Sequence, residues 1–144
     1  MEGIRLANLA DAEQISHFDH VARIDPGRDQ FVRSSIGNGQ CHVYEQGGAV
    51  VAYAVLEYSF YGNAFVSMLC VHPERRRKGI GAKLMRHIES LCRTDKLFTS
   101  TNESNQPMRK LLEKLGYQPS GRIENLDEGD PEMVYFKRLK TAGA

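Results

Sequence analysis

Four consecutive cationic residues, Arg75, Arg76, Arg77 and Lys78, stand directly before Gly79-Ile80-Gly81. An apolar run, Ala64 to Val71, precedes them. An amphipathic run follows, with Ile80, Leu84, Ile88 and Leu91 at helical spacing. The first N–H groups of a helix have no partner inside it, and its N-terminus carries partial positive charge. Glycines let the main chain come close to an anion. Four cations there oppose the helix dipole unless an anion joins them. The segment therefore reads as a cradle for phosphate or pyrophosphate. Spacing excludes two familiar phosphate sites. GxxxxGK[ST] is absent, and Gly79-Ile80-Gly81 lacks the third glycine of GxGxxG. The order of elements also does not continue as a dinucleotide fold.

The rest of the chain must position this cradle. Ile4 to Leu6 predicts a short strand, then a turn and a helix with acidic residues near its start. Ile15, Phe18 and Ala22 continue that helix at its period. Asp25-Pro26-Gly27 breaks it, and Asp29 to Ile36 predicts a second short helix ended by Gly37-Asn38-Gly39. The period then changes. Cys41 to Gln46, Ala49 to Phe60 and Ala64 to Val71 read as three strands turned at Gly47-Gly48 and Gly62-Asn63, an antiparallel meander. AFVSMLCV is apolar enough to predict burial on both faces. Gly79 to Arg93 is a helix, and Lys96 to Ser100 a strand parallel to the one before it. Gln106 to Leu115 is a further helix with Met108, Leu111, Leu112 and Leu115 inward and Gly116 at C′. Ser120 to Leu126 and Met133 to Leu139 form a closing hairpin. The fold class is α/β (α+β): one domain over residues 1–140 and a frayed tail over 141–144. Its mixed, mostly antiparallel sheet has six to seven strands, flanked by about four helices.

Composition narrows the function. The 144 residues fit one domain, and 41% apolar with 26% charged residues is the balance of a globular protein. A net charge of +1 argues against a general binder of nucleic acid or membrane surfaces. Arg75 to Lys78 is too short a patch for an RNA-binding domain, and no aromatic platform accompanies it. No apolar run nears the ~20 residues of a membrane span. The opening MEGIRLANLADAEQ has neither the basic nor the apolar region of a secretory leader. A cytoplasmic setting is the expectation. Cys41, Cys70 and Cys92 are odd in number and widely spaced, which predicts reduced, packed thiols rather than zinc ligands. His17 and His20 share a helix face in this reading, but no further ligand joins them, so no metal is expected.

Arg76-Arg77-Lys78-Gly79-Ile80-Gly81 resembles the acyl-CoA loop of the GCN5-related N-acetyltransferase (GNAT) family, R/Q-x-x-G-x-G/A. Leu69 to Glu74 is similar to that family's fourth strand and following turn. Asn105, Leu111, Leu115, Gly116 and Tyr117 resemble its N-x(5)-l-x-x-x-l-G-F/Y segment, and IRLANLADAEQI its opening. The resemblance covers nearly the whole chain. It implies a GNAT-like acyl-CoA N-acyltransferase fold and direct acetyl transfer from acetyl-CoA to a primary amine. It also implies that main-chain N–H groups from Arg77 to Ala82, beside Arg76, bind the pyrophosphate of CoA. The strand edge at Leu69, Cys70 and Val71 would pair with the pantetheine arm, and Asn105 would lie beside it. The N–H of Leu69 or Cys70 would polarise the thioester carbonyl. The strands ending near Val71 and Thr101 would splay to admit the thioester. Relatives are often monomers or dimers.

The acid and base are less legible. The family often places an acidic tyrosine seven residues after the asparagine, and here that position is Leu112. Tyr117 and Tyr135 are the nearby phenols, with ordinary core or sheet aromatics as the competing reading. Many relatives carry a base glutamate on the fourth strand, but AFVSMLCV has none. Glu57, near the end of the preceding strand, is the best candidate, with Tyr58 and Ser67 behind it. Cys70 as a covalent nucleophile lacks an activating histidine. An acidic stretch, Glu124, Asp127, Glu128, Asp130 and Glu132, would draw a cationic amine or simply form a solvated turn. Asp19, His20, Asp25 and Asp29 lie where the family's first helices wall the acceptor site. The acceptor is a small-molecule or peptide amine. A CoA-binding regulatory module with little transfer activity is the alternative.

Overall fold

The computed structural model describes residues 2–139. The tail expected to fray, 141–144, lies outside them. Strands β1 (Glu2–Leu6), β2 (Cys41–Gln46), β3 (Ala49–Phe60), β4 (Asn63–Val71), β5 (Lys96–Asn102), β6 (Gln118–Ile123) and β7 (Glu132–Arg138) form a seven-stranded sheet. Its hydrogen-bonded order is β1-β2-β3-β4-β5-β7-β6. Helices α1 (Asp11–Phe18), α2 (His20–Ile24), α3 (Pro26–Gly37), α4 (Ile80–Leu91) and α5 (Gln106–Lys114) accompany it, with a 3-10 turn at Pro73–Arg75. The sheet is mixed and mostly antiparallel, as expected. The chain clusters into two compact units, 1–56 with 68–88 and 57–67 with 89–144, of which residues 2–139 are described.

In the first unit, β1, β2 and β3 pair antiparallel, from Glu2↔Gln46 to Leu6↔His42 and from Cys41↔Val55 to Gln46↔Ala49. Ala12, Ile15, Phe18, Val32 and Ile36 pack on Cys41, Val43, Val50, Tyr53 and Val55 to make its core. The long first helix is two helices. Asp19 leaves the helical region (φ −90°, ψ 93°), and its carboxylate accepts from the N–H groups of Val21 and Ala22. A side-chain cap of this kind satisfies donors that would otherwise be orphaned, so it starts a new helix inside an unbroken apolar period. Ala22 thus belongs to α2, His17 and His20 sit on different helices, and the helices number five among the described residues. α3 begins at Pro26, three residues before the expected Asp29. Asp25 caps it through Gly27 N–H, and proline is at home in a first turn.

His42 is buried on β2, with its ring 6.1 Å from that of His87 on α4. Burial, then the neighbouring His87, lowers the His42 pKa below its usual value. The unfolded chain accepts a proton that folded His42 resists. Stability present above the unfolded pKa, about 6.5, is therefore lost as pH falls through and below it. A His42→Gln variant is expected to lose less stability on acidification than the wild type. Tm measured against pH checks this, and parallel profiles for the two proteins would refute it.

Tyr61 (φ 52°) and Gly62 (φ 79°) join β3 to β4 in a two-residue hairpin turn, one residue earlier than expected. β4 is not buried on both faces. Ala64 and Val66 are buried, while Phe65 and Ser67 to Val71 are half-buried. The parallel ladder to β5 accounts for the covered part, running from Ala64↔Leu97 to Val66↔Thr99.

In the second unit, β5 pairs antiparallel with β7 from Lys96↔Arg138 to Asn102↔Glu132, so it outlasts the expected Ser100 by two residues. β6 runs Gln118–Ile123 rather than Ser120–Leu126, is exposed throughout, and bulges between Pro119 and Gly121. α5 is capped by Asn105, whose side chain accepts from Met108 N–H at 3.2 Å. Gly116 (φ 94°) follows its C-terminus, as expected. Leu112 and Leu115 are buried, whereas Met108 and Leu111 are only half-buried. A short helix on a sheet hides a narrower stripe than the full apolar set.

Candidate active site

Past β4, the chain turns by capping itself. His72 Nδ1 accepts from Glu74 N–H at 3.1 Å, and the 3-10 turn follows. Arg76 Nε then donates to Val71 O at 3.1 Å, folding its guanidinium back on the strand end. Arg77 (φ 65°) and Gly79 (φ 80°) both take left-handed backbone. Such residues curl the main chain so that successive N–H groups converge. Ile80 opens α4 with its side chain buried, which anchors the helix start. The bond from Lys83 N–H to Gly79 O, 3.0 Å, belongs to the helical ladder, so Ile80, Gly81 and Ala82 lie ahead of it. A Cβ built on Gly79 meets nothing within 4 Å. The glycine is needed for its backbone, and the space beside it is open. Arg77 and Lys78 are exposed around it. A curled, glycine-bearing backbone, a helix start and flanking cations fit a pyrophosphate.

Leu69, Cys70 and Val71, then Arg76 to Ala82, thus lie along one continuous stretch of the first unit. Glu57 and Asn105 belong to the second unit. Glu57 is half-buried at the end of β3, and its carboxylate accepts from Ser59 Oγ. Asn105 spends its carbonyl on the α5 cap. Leu112 is completely buried and is apolar, so it offers no proton.

The phenols have structural partners. Tyr117 donates to Glu89 at 2.7 Å, and Lys137 holds the same carboxylate at 3.1 Å. Tyr135, fully buried, accepts from Arg109 Nε at 3.0 Å. Tyr58 accepts from Arg93 N–H at 3.2 Å and lies under the Arg93 guanidinium. The acidic stretch is largely absorbed into the β6–β7 connection. Asp127 accepts from Asn102, Asp130 from the Ser104 N–H and hydroxyl, Glu132 from Ser100, and Glu124 pairs with Arg122. Of the early acidic residues, Asp25 caps α3 and Asp29 pairs with Arg33, while His20 contacts Arg23.

Sequence reasoning missed the group that Asp19 organises. Its carboxylate is buried, accepting from Tyr53 OH at 2.5 Å and pairing with Arg28 at 2.8 Å. Spacing carries no signal linking residues 19, 28 and 53, since the contact is tertiary. Cys70 packs against the core that includes Tyr53 and Phe18. Burial, then the Asp19 charge, pushes its thiol up to about 11, so a nucleophilic thiolate is disfavoured at neutral pH. Cys41, Cys70 and Cys92 form no disulfide among the described residues.

A sequence model described as the acetyltransferase (GNAT) family matches residues 6–117. The chain belongs to the GNAT acetyltransferase family. A crystal structure of a GNAT-family acetyltransferase from Bacillus cereus ATCC 10987 superposes with a TM-score of 0.87 at 32% identity, covering 96% of this chain and 97% of that one. This GNAT chain is also 28% identical over 137 residues to the mouse cysteine-rich protein 2-binding protein. That match covers 85% of this chain but spans only 18% of the mouse protein's length. S-(2-succino)cysteine N-acetyltransferase of Bacillus subtilis strain 168 is 28% identical over 120 residues, covering 76% of this chain and 72% of its own. Among the described residues, no helix is long and apolar enough to cross a membrane.

Proposed function

We propose that this GNAT chain is an acetyl-CoA-dependent N-acetyltransferase that moves the acetyl group directly to a primary amine. The observation that carries the reading is the Arg76–Gly81 backbone, curled at Arg77 and Gly79 and opening directly into α4. Main-chain N–H groups of Arg77 to Ala82 hold the pyrophosphate, with Arg76 beside them, and Asn105 lies beside the pantetheine. The half-buried edge of β4 at Leu69, Cys70 and Val71 pairs with the pantetheine arm. Bound acetyl-CoA supplies an activated thioester. The N–H of Leu69 or Cys70 polarises its carbonyl, and Glu57 or a water chain removes the amine's proton. The raised Cys70 thiol supports direct transfer over an acyl-enzyme. With Leu112 in the usual acid position, the departing thiolate leaves without a phenol from that helix.

The acceptor is a small-molecule or peptide amine. The chain works as a monomer or homodimer in the cytoplasm, where its three thiols stay reduced. One observation favours a second reading. Leu112 and the absence of a glutamate from β4 suit a CoA-binding regulatory module with little transfer activity. Release of CoA thiol, read alongside mass spectrometry of the product across a panel of amino acids, polyamines, aminoglycosides and peptides, separates the two. N-acetyl product matching the CoA released is the expected result. Acetyl-CoA binding without turnover of any amine would favour the regulatory module.

A further inference from the structure

Ser67 Oγ is a side-chain polar atom that is shut off from solvent yet has no hydrogen-bonding partner in the protein. Among the described residues, no other side-chain nitrogen or oxygen stands so. A buried hydroxyl in that state costs stability, and alanine would remove the cost with almost no change of shape. Such groups in native proteins call for an explanation, most often a held water or a catalytic duty.

Its position on β4 indicates which. The parallel ladder reaches Val66↔Thr99, and the Val66 carbonyl is taken by a side chain, Thr99 Oγ1 at 2.9 Å. Ser67 is the next residue. Half-buried Met68 to Val71 follow it, including the two N–H groups to which the thioester carbonyl is assigned. The orphan hydroxyl therefore stands where β4 passes from ladder to binding edge.

We propose that Ser67 Oγ anchors a buried water that takes the proton from the attacking amine, which makes Ser67 a positioning residue for acetyl transfer. The inference rests on the transferase reading above. In the step, the amine nitrogen bonds to the acetyl carbon and the C–S bond breaks. The electron pair leaves on sulfur, and the amine's proton passes to the water and on to solvent or Glu57. Ser67 keeps its own proton count throughout.

Two variants test it, with the best amine of the panel as acceptor. Ser67→Ala removes a hydroxyl that the water satisfies, so Tm is expected to change little. It should lower kcat about 100-fold with KM for acetyl-CoA unchanged. The defect should shrink at alkaline pH, where the amine arrives uncharged, and Ser67→Thr should recover most of kcat. A merely structural hydroxyl would leave kcat unchanged, and that result overturns the proposal. A high-resolution crystal structure of the protein is the readout that needs no acceptor. Water within about 3.2 Å of Ser67 Oγ is expected, and a dry site or a protein partner there overturns the proposal. Failure of the transferase reading itself looks different: acetyl-CoA would not bind the wild type, whatever Ser67 holds.

Discussion

Asp19→Ala should cost this protein about 3–5 kcal/mol of stability, the range for removing one partner of a buried ion pair. Asp19 is 3% exposed, and four donors converge on its carboxylate. Arg28 and the Tyr53 hydroxyl bond to Oδ2, and the N–H groups of Val21 and Ala22 bond to Oδ1. Truncation leaves a largely buried guanidinium without its counter-charge. It also removes the α2 cap, itself worth about 1 kcal/mol. Asp19→Asn keeps an acceptor for the cap and should lose less. Urea unfolding with an unchanged m-value measures both. A loss below about 1 kcal/mol for Asp19→Ala would mean that Arg28 reaches water once released. The site would feel the change as well. Phe18, its neighbour in the chain, packs its ring 5.7 Å from His72, at the point where β4 turns into the Arg76–Gly81 loop.

That buried group also shows where the sequence stopped being informative. The loop and its flanking elements were legible because each depends on local rules: cations and glycines ahead of an amphipathic run, and an apolar strand before them. The run of β2, β3 and β4 as neighbours followed from tight turns, and the parallel step to β5 from one crossover helix, whereas the places of β1, β6 and β7 did not. Several element ends were legible where a glycine marks them, as at Gly116. Asp19 hid a helix break because Ile15, Phe18 and Ala22 keep a helical period across it, and a period records faces rather than hydrogen bonds. The half-burial of β4 was invisible for a similar reason. Apolar composition predicts what a strand can bury, whereas the partner strand decides how much it does. The acidic stretch read either as a patch for a cationic amine or as a solvated turn, because side-chain partners such as Asn102 and Ser104 arrive from a distant strand end and its following turn. The same limit hid Ser67, whose lack of a partner is a property of packing alone.

The phosphate-binding role proposed for the Arg76–Gly81 loop admits a test in which the fold is spared. A double variant, Arg76→Ala with Gly79→Trp, should weaken acetyl-CoA binding by at least about 100-fold, or ~2.7 kcal/mol. The indole would occupy the open space beside Gly79, where even a Cβ meets nothing within 4 Å, so the obstruction falls on the ligand rather than on packing. The left-handed backbone at φ 80° adds strain of about 1–2 kcal/mol for any residue with a Cβ. Gly79→Ala carries that strain without the bulk and isolates it. Titration calorimetry reads affinity, and a thermal melt confirms that each variant is folded. Loss in the double variant with only a modest change in Gly79→Ala places the pyrophosphate over this backbone. Equal binding by wild type and double variant would move the ligand elsewhere. Leu69, Cys70 and Val71 would then lose their assigned partner too, since they were placed by the same arm of the same molecule.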